Sequence, residues 1–161
     1  MIRLRDVTRT FAGPRPRTVL DRVNLDVPSG QLAAILGESG AGKSTLLNVI
    51  AGLETADAGT VVVADVDLAG LDDDARTAFR REHVGFVFQA FHVLPYLSVG
   101  DNVALPLKLA GRRDRAAAER VHAMLAAVGL ADRAASMPRE LSGGELQRIA
   151  IARALVHRPR V

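Results

Sequence analysis

Leu32-Ala33-Ala34-Ile35-Leu36-Gly37-Glu38-Ser39-Gly40-Ala41-Gly42-Lys43-Ser44-Thr45 joins a short apolar run to a glycine-rich turn and then to a helical pattern. Consecutive apolar residues over 32–36 fit a strand buried on both faces, and that is the expectation for this run. Gly37 to Ser44 matches G-x-x-x-x-G-K-[ST] at every fixed position. Glycines let the backbone curl so that successive N–H groups point inward and make an anion-binding nest. A helix from Lys43 to about Ala51 adds the positive end of its dipole. In such a nest Gly37, Glu38, Ser39, Gly40, Ala41 and Gly42 wrap a phosphate chain, and Lys43 reaches the outer phosphates. Ser44 can place its hydroxyl on Mg²⁺, and Thr45 can add a phosphate contact. Average composition produces the fixed positions by chance in about one chain of this length in a few hundred. The pattern points to a nucleoside triphosphate without choosing among kinases, GTPases and ATPases.

The flanks supply an α/β context. Ile2 to Val7 and Val19 to Val27 alternate with period two and read as strands, joined by the loop Ala12-Gly13-Pro14-Arg15-Pro16-Arg17. Gly59 to Ala64 reads as another strand, Asp72 to about Glu82 as a helix, and Val84 to Phe88 as a strand ending at Gln89. From there to about residue 141 the pattern is helical, with Ser98 as a cap and a helix from Arg113 to Val128 stopped by Gly129. Ser142 to His157 reads as a helix that is apolar nearly all round.

Composition narrows the functional classes. The 161 residues are 48% hydrophobic and 24% charged, a globular balance with room for a sizeable core. There is no cysteine, so disulfides, thiol catalysis and Cys-based zinc sites are excluded. His83, His92, His122 and His157 show no metal-ligand spacing. No apolar run approaches the roughly 18 residues of a membrane span, and the N-terminus lacks a signal-peptide core. The chain therefore reads as cytoplasmic, with any membrane role carried by a partner. Residues 1–111 carry a net charge of −2 and residues 112–161 a net charge of +5. The arginines of the basic part are dispersed with no aromatics among them, which favours solvated helix faces over a nucleic-acid surface. Arg supplies 19 of the 21 cations, and only Lys43 and Lys108 are Lys. Lys43 stands where a compact ammonium suits the chemistry better than a planar fork.

A second motif, Leu141-Ser142-Gly143-Gly144-Glu145, is locally a capping box, with Ser142 at the N-cap and Glu145 three residues on. A cap alone does not need Gly143 and Gly144, which are poor helix formers. They offer bare backbone N–H groups at a positive helix end, a second phosphate site on the same chain. One triphosphate does not need both sites on one subunit, whereas two subunits head to tail would use both.

On these two motifs the chain resembles the ATP-binding cassette (ABC) ATPases. The glycine loop resembles their Walker A motif, and Leu141 to Glu145 resembles their signature sequence. The resemblance implies a P-loop NTPase fold with N-terminal antiparallel strands, a helical subdomain and a central parallel sheet that is incomplete here. It divides the chain into a nucleotide-binding part (1–88), a Q-loop and helical subdomain (89–141) and a signature helix (142–161). Gln89 resembles the Q-loop glutamine, which contacts Mg²⁺ and the attacking water. Phe11 sits where the family places an aromatic on adenine, with an ordinary packed strand residue as the alternative. Phe91, Leu94, Pro95 and Tyr96 occupy the region that in the family receives a transmembrane partner's coupling helix. The alternative for them is the core of the helical subdomain. The run from Phe91 to Leu107, together with Glu145 in place of the commoner Gln, is similar to the lipoprotein-releasing and macrolide-export branch.

The resemblance thus implies ATP and Mg²⁺ as cofactors, a second ATPase subunit, and a permease. It also implies a place on the inner face of the plasma membrane. The family's Walker B Asp and Glu and its switch histidine have no counterpart in residues 1–161. Asp132 and Glu140 precede the signature, and His157 closes the signature helix. The expectation is that this stretch alone binds nucleotide weakly without hydrolysing it and is marginally stable or prone to aggregate. Among rival functions, a DNA-repair clamp would carry a long coiled coil between Gln89 and Leu141, and no sustained heptads appear there. A ribosome-associated factor would carry two cassettes in one chain. A truncated, non-hydrolysing regulator is the remaining alternative.

Overall fold

A computed structural model describes residues 1–161, which form two compact units, Met1–Arg80 with Val161, and Arg81–Arg160. The first unit holds strands β1 (Ile2–Phe11), β2 (Arg17–Val27), β3 (Ala58–Val63) and β4 (Val66–Asp67), with helix α1 (Lys43–Ile50) and most of α2 (Asp73–His83). The sheet has the order β2-β1-β3-β4 and every pair is antiparallel.

β1 departs from plain alternation. Leu4 and Val7 are both fully buried although three residues apart. A bulge at Asp6, whose φ is +50°, resets the phase. Asn24 holds the bulge from β2, accepting from the Asp6 N–H at 3.1 Å and donating to the Asp6 carboxylate at 3.2 Å. Leu4 and Val7 are then buried, as are Val61, Val63, Leu46, Val49 and Ile50 of the same unit.

The second unit is helical, with α3 (Val99–Leu109), α4 (Arg115–Ala127) and α5 (Gly143–Leu155). Val99, Val103 and Leu107 recur every four residues on α3 and pack with Ala117 and Leu125 of α4 and Ile149, Ala152 and Val156 at α5. The cap expected at Ser98 forms, and the helix expected from Arg113 begins two residues later, at Arg115, because Asp114 caps it. Ser98 accepts the Asp101 N–H at 3.1 Å, and Asp114 accepts the Ala117 N–H at 2.8 Å.

Two expected strands do not form. Residues 32–36 and 84–88 are not laddered to any neighbour. Leu32 and Leu36 are 100% and 89% exposed, in place of the predicted burial on both faces. An apolar run becomes a buried strand only between hydrogen-bonded neighbours, and no segment of residues 1–161 flanks this one. Val84–Phe88 is instead seated along the end of α5. There Gly85 is needed because a Cβ would stand against the Ala154 carbonyl and 2.9 Å from Pro159.

An uncharged, exposed run such as Leu32 to Leu36 is adhesive. The double change Leu32→Lys and Leu36→Lys is expected to raise the monomer fraction of the 161-residue chain in size-exclusion chromatography and light scattering. Its thermal midpoint should be unchanged, because neither side chain packs.

Candidate functional site

The glycine loop rests on β2. Gly42 takes φ +86°, and a Cβ there would stand 2.8 Å from the Val19 carbonyl and 2.9 Å from its side chain, so only glycine fits. Gly42 is also the N-cap of α1, which therefore begins with no side-chain cap and no acidic residue in its first turn. The first-turn N–H groups of such a helix are left for an outside acceptor. Lys43 folds back over the loop, and its ammonium donates to the Gly37 carbonyl at 2.8 Å and to the Glu38 carbonyl at 2.5 Å. Arg17 donates to the Gly40 carbonyl at 3.3 Å. The Ser44 and Thr45 hydroxyls engage no other residue. The arrangement is a cationic, donor-rich cradle suited to phosphate oxygens.

Phe11 stands at the end of β1, paired in register with Arg17. Arg17 thereby links the Phe11 end of the sheet to the loop. The Arg9 guanidinium lies over one face of the Phe11 ring, 4.9 Å from its centroid, and the ring keeps 39% of its surface open. Arg9 is itself held by Glu54 and by Asp57, the latter at 2.6 Å. The Thr10 N–H and Arg9 together hold the Asp57 carboxyl below its usual range.

Gln89 and the signature belong to the second unit. Gln89 is exposed in a turn closed by the Phe91 N–H on the Phe88 carbonyl at 3.0 Å, and its side chain has no partner. Ser142 caps α5 with both halves of the capping box present. Its N–H and its hydroxyl donate to the Glu145 carboxylate at 2.8 and 2.7 Å, which holds that carboxyl below its usual range. Gly143 and Gly144 are exposed, and a Cβ on either would meet nothing within 4 Å. Their N–H groups make no hydrogen bond and lie beside a fixed negative charge, unlike the start of α1. Leu141 is half-buried and packs onto the helical core.

The segment after Gln89 is built by residues the motif reading missed. Phe91 and His92 have φ +61° and +46°, a region that non-glycine residues seldom occupy. Both of their carbonyls accept from the Arg153 guanidinium on α5 at 2.8 Å. Burial pushes the Arg153 pKa down. Asn102, fully buried, accepts the Leu94 N–H at 2.8 Å and donates to the Leu94, Leu97 and Ser98 carbonyls at 3.0 to 3.1 Å. Between these anchors Leu94, Pro95 and Tyr96 project outward, and Tyr96 is 91% exposed. They are not core. One signal could have exposed Arg153, a lone charge on the otherwise apolar face of a buried helix. Nothing local marks Asn102. His157 donates from Nε2 to the Val84 carbonyl at 3.1 Å, and burial lowers its pKa.

The ABC transporter family profile matches residues 20–161. The chain is 47% identical over 161 residues to the lipoprotein-releasing system ATP-binding protein LolD of Novosphingobium aromaticivorans, covering 99% of this chain and 71% of that protein. It is 43% identical over 158 residues to the macrolide export ATP-binding/permease protein MacB of Burkholderia pseudomallei, covering 98% of this chain and 24% of that protein. Among solved structures it is similar to a dimeric ATP-binding cassette in a post-hydrolysis state bound to ADP and Pi. The TM-score is 0.90 at 39% identity, over 99% of this chain and 71% of that one. The chain thus spans about a quarter of the length of the first of these relatives' MacB type and about seven-tenths of the LolD type.

Removing the guanidinium in Arg153→Ala should speed amide hydrogen exchange across residues 91–96 by about tenfold or more, as expected for lost charge-assisted bonds. Arg153→Lys, which can reach one carbonyl at a time, should fall between. A second expectation concerns pH. His157 has a folded pKa below its ordinary 6.5, so below that pH the unfolded chain binds the proton more readily and stability falls. Between about pH 7.5 and about pH 5.5 the melting midpoint should drop more for the wild type than for His157→Gln.

Proposed function

The chain belongs to the ABC transporter family, and on that premise we propose that it is the ATP-gripping part of a transporter's energy-coupling subunit. In this reading ATP is bound, and in the whole protein hydrolysed, at a head-to-tail interface between two copies. The cycle drives export or extraction of a substrate through a membrane permease. The observation that carries the reading is the start of α1, where Gly42 leaves the helix uncapped and Lys43 is bonded only to loop carbonyls. An anion arriving there finds free N–H groups, the helix dipole and an ammonium that can exchange carbonyls for phosphate oxygens.

Gly37 to Thr45 then hold the phosphates, and the open face of Phe11 receives the adenine. The Ser44 hydroxyl is the Mg²⁺ ligand that the first unit supplies, and it lacks a competing partner; Gln89, in the second unit, keeps a side-chain amide equally free of partners. Bound Mg²⁺ would neutralise phosphate charge. Leu141 to Glu145 present the Gly143 and Gly144 N–H groups to the nucleotide of a second copy. Leu94, Pro95 and Tyr96, exposed on a loop anchored from below, form the permease-docking surface. No helix is long and apolar enough to cross a membrane. The reading places the subunit on the cytoplasmic face through its partner.

A fluorescent ATP analogue with Mg²⁺ should bind the wild-type chain saturably, and Lys43→Ala should weaken binding by about tenfold or more. Ser142→Ala should leave binding to the isolated chain unchanged at a cost of about 1 kcal/mol in the cap. Equal binding by Lys43→Ala and the wild type would overturn the reading.

A further inference from the structure

Helices α3 and α4 flank an open cleft of about 460 Å³ that belongs to neither phosphate-gripping end. Its floor is apolar, formed by Ala104 and Leu107 of α3 and Ala117, Ala118 and Val121 of α4. Its rim is charged, with Lys108, Arg112, Arg113 and Asp114. Two of these charges are already engaged. Lys108 donates to Asp101 at 2.6 Å, and Asp114 accepts the Ala117 N–H at 2.8 Å as the cap of α4. Arg112 and Arg113 are exposed, and neither side chain has a hydrogen bond or ion pair. The turn that carries them is fixed, because Gly111 takes φ +75° and the Arg112 N–H donates to the Leu107 carbonyl at 2.9 Å.

We propose that this cleft binds a free single-chain amphipath with an anionic head, of the fatty-acid type. Its hydrocarbon body would lie on the alanine, leucine and valine floor, and its carboxylate would be taken by Arg112 and Arg113. The volume lies within the range of small-ligand sites. A planar guanidinium matches a carboxylate through two parallel N–H bonds. An inorganic anion would leave the floor unused. A partner helix needs apolar anchors over two or more turns, whereas the floor offers about one turn on each helix. Single-stranded nucleic acid would need aromatic stacking partners, and the cleft has none, while a duplex would leave the apolar floor unused.

The test is titration of the full 161-residue chain with dansyl-labelled undecanoate, followed by displacement. Saturable one-site binding is expected, displaced by dodecanoate below its micelle concentration. Dodecanol, with the same chain and no charge, should compete about tenfold more weakly or worse. The double reversal Arg112→Glu with Arg113→Glu should cost a similar factor. It changes only exposed side chains, so its circular dichroism and melt should match the wild type. Ala118→Phe, filling the exposed part of the floor, should abolish binding while leaving the fluorescent ATP analogue bound as before. Equal competition by dodecanol, or unchanged affinity in the double reversal, would overturn the charged head. Displacement by inorganic phosphate alone would overturn the apolar body. Binding seen only with anionic phospholipid vesicles would overturn the free amphipath as occupant.

Discussion

A helix begins with N–H groups that no carbonyl of its own can accept, and what fills that vacancy decides what each end of this protein can do. At α1 the vacancy is left open. Gly42 brings no side chain, the first turn has no acid, and Lys43 adds a positive charge. At α5 it is partly closed from within, because the Glu145 carboxylate already takes the Ser142 N–H. The two ends are therefore unequal as anion sites. Phosphate meets cation and dipole together at α1, and meets a dipole beside a fixed carboxylate at α5.

The second unit shows how a strained loop is kept in place without a lattice of strand bonds. Phe91 and His92 sit in left-handed conformations that cost about 1–3 kcal/mol each when unsupported. Their carbonyls meet one guanidinium, and the Leu94 peptide meets a buried amide. Both anchors come from helices of the same core, Arg153 from α5 and Asn102 from α3. The outward residues Leu94 to Tyr96 are thus mounted on the helical unit, bonded to α3 at Leu94 itself and to α5 through the preceding Phe91 and His92.

Much of this was legible in the residues, and the division between legible and hidden is physical. The glycine loop, the capping box and the cap at Ser98 were readable because each is made within a few residues of chain. The β1 bulge was not, since Leu4 and Val7 look like a break in alternation until Asn24 is seen bonding Asp6 from another strand. Asn102 was not, because its partners are backbone atoms, which carry no residue signature, and Arg153 showed only as a lone charge on an apolar helix face, its partner lying 62 residues away.

The strand at residues 32–36 is the instructive miss. Leu32 to Leu36 has the composition of a central strand, yet a strand buried on both faces is defined by neighbours on both edges and layers on both sides. Composition reports the affinity for that place, and only the rest of the sheet supplies the place. In residues 1–161 the ladders are all antiparallel and stop at β2 and β4, so the run stays outside them with its leucines in solvent. The loop that follows it is nevertheless formed, because its geometry depends on Gly42 against Val19 and on Lys43 over Gly37, contacts that do not pass through the strand. The phosphate cradle is in this sense locally encoded, and the sheet that leads into it is not.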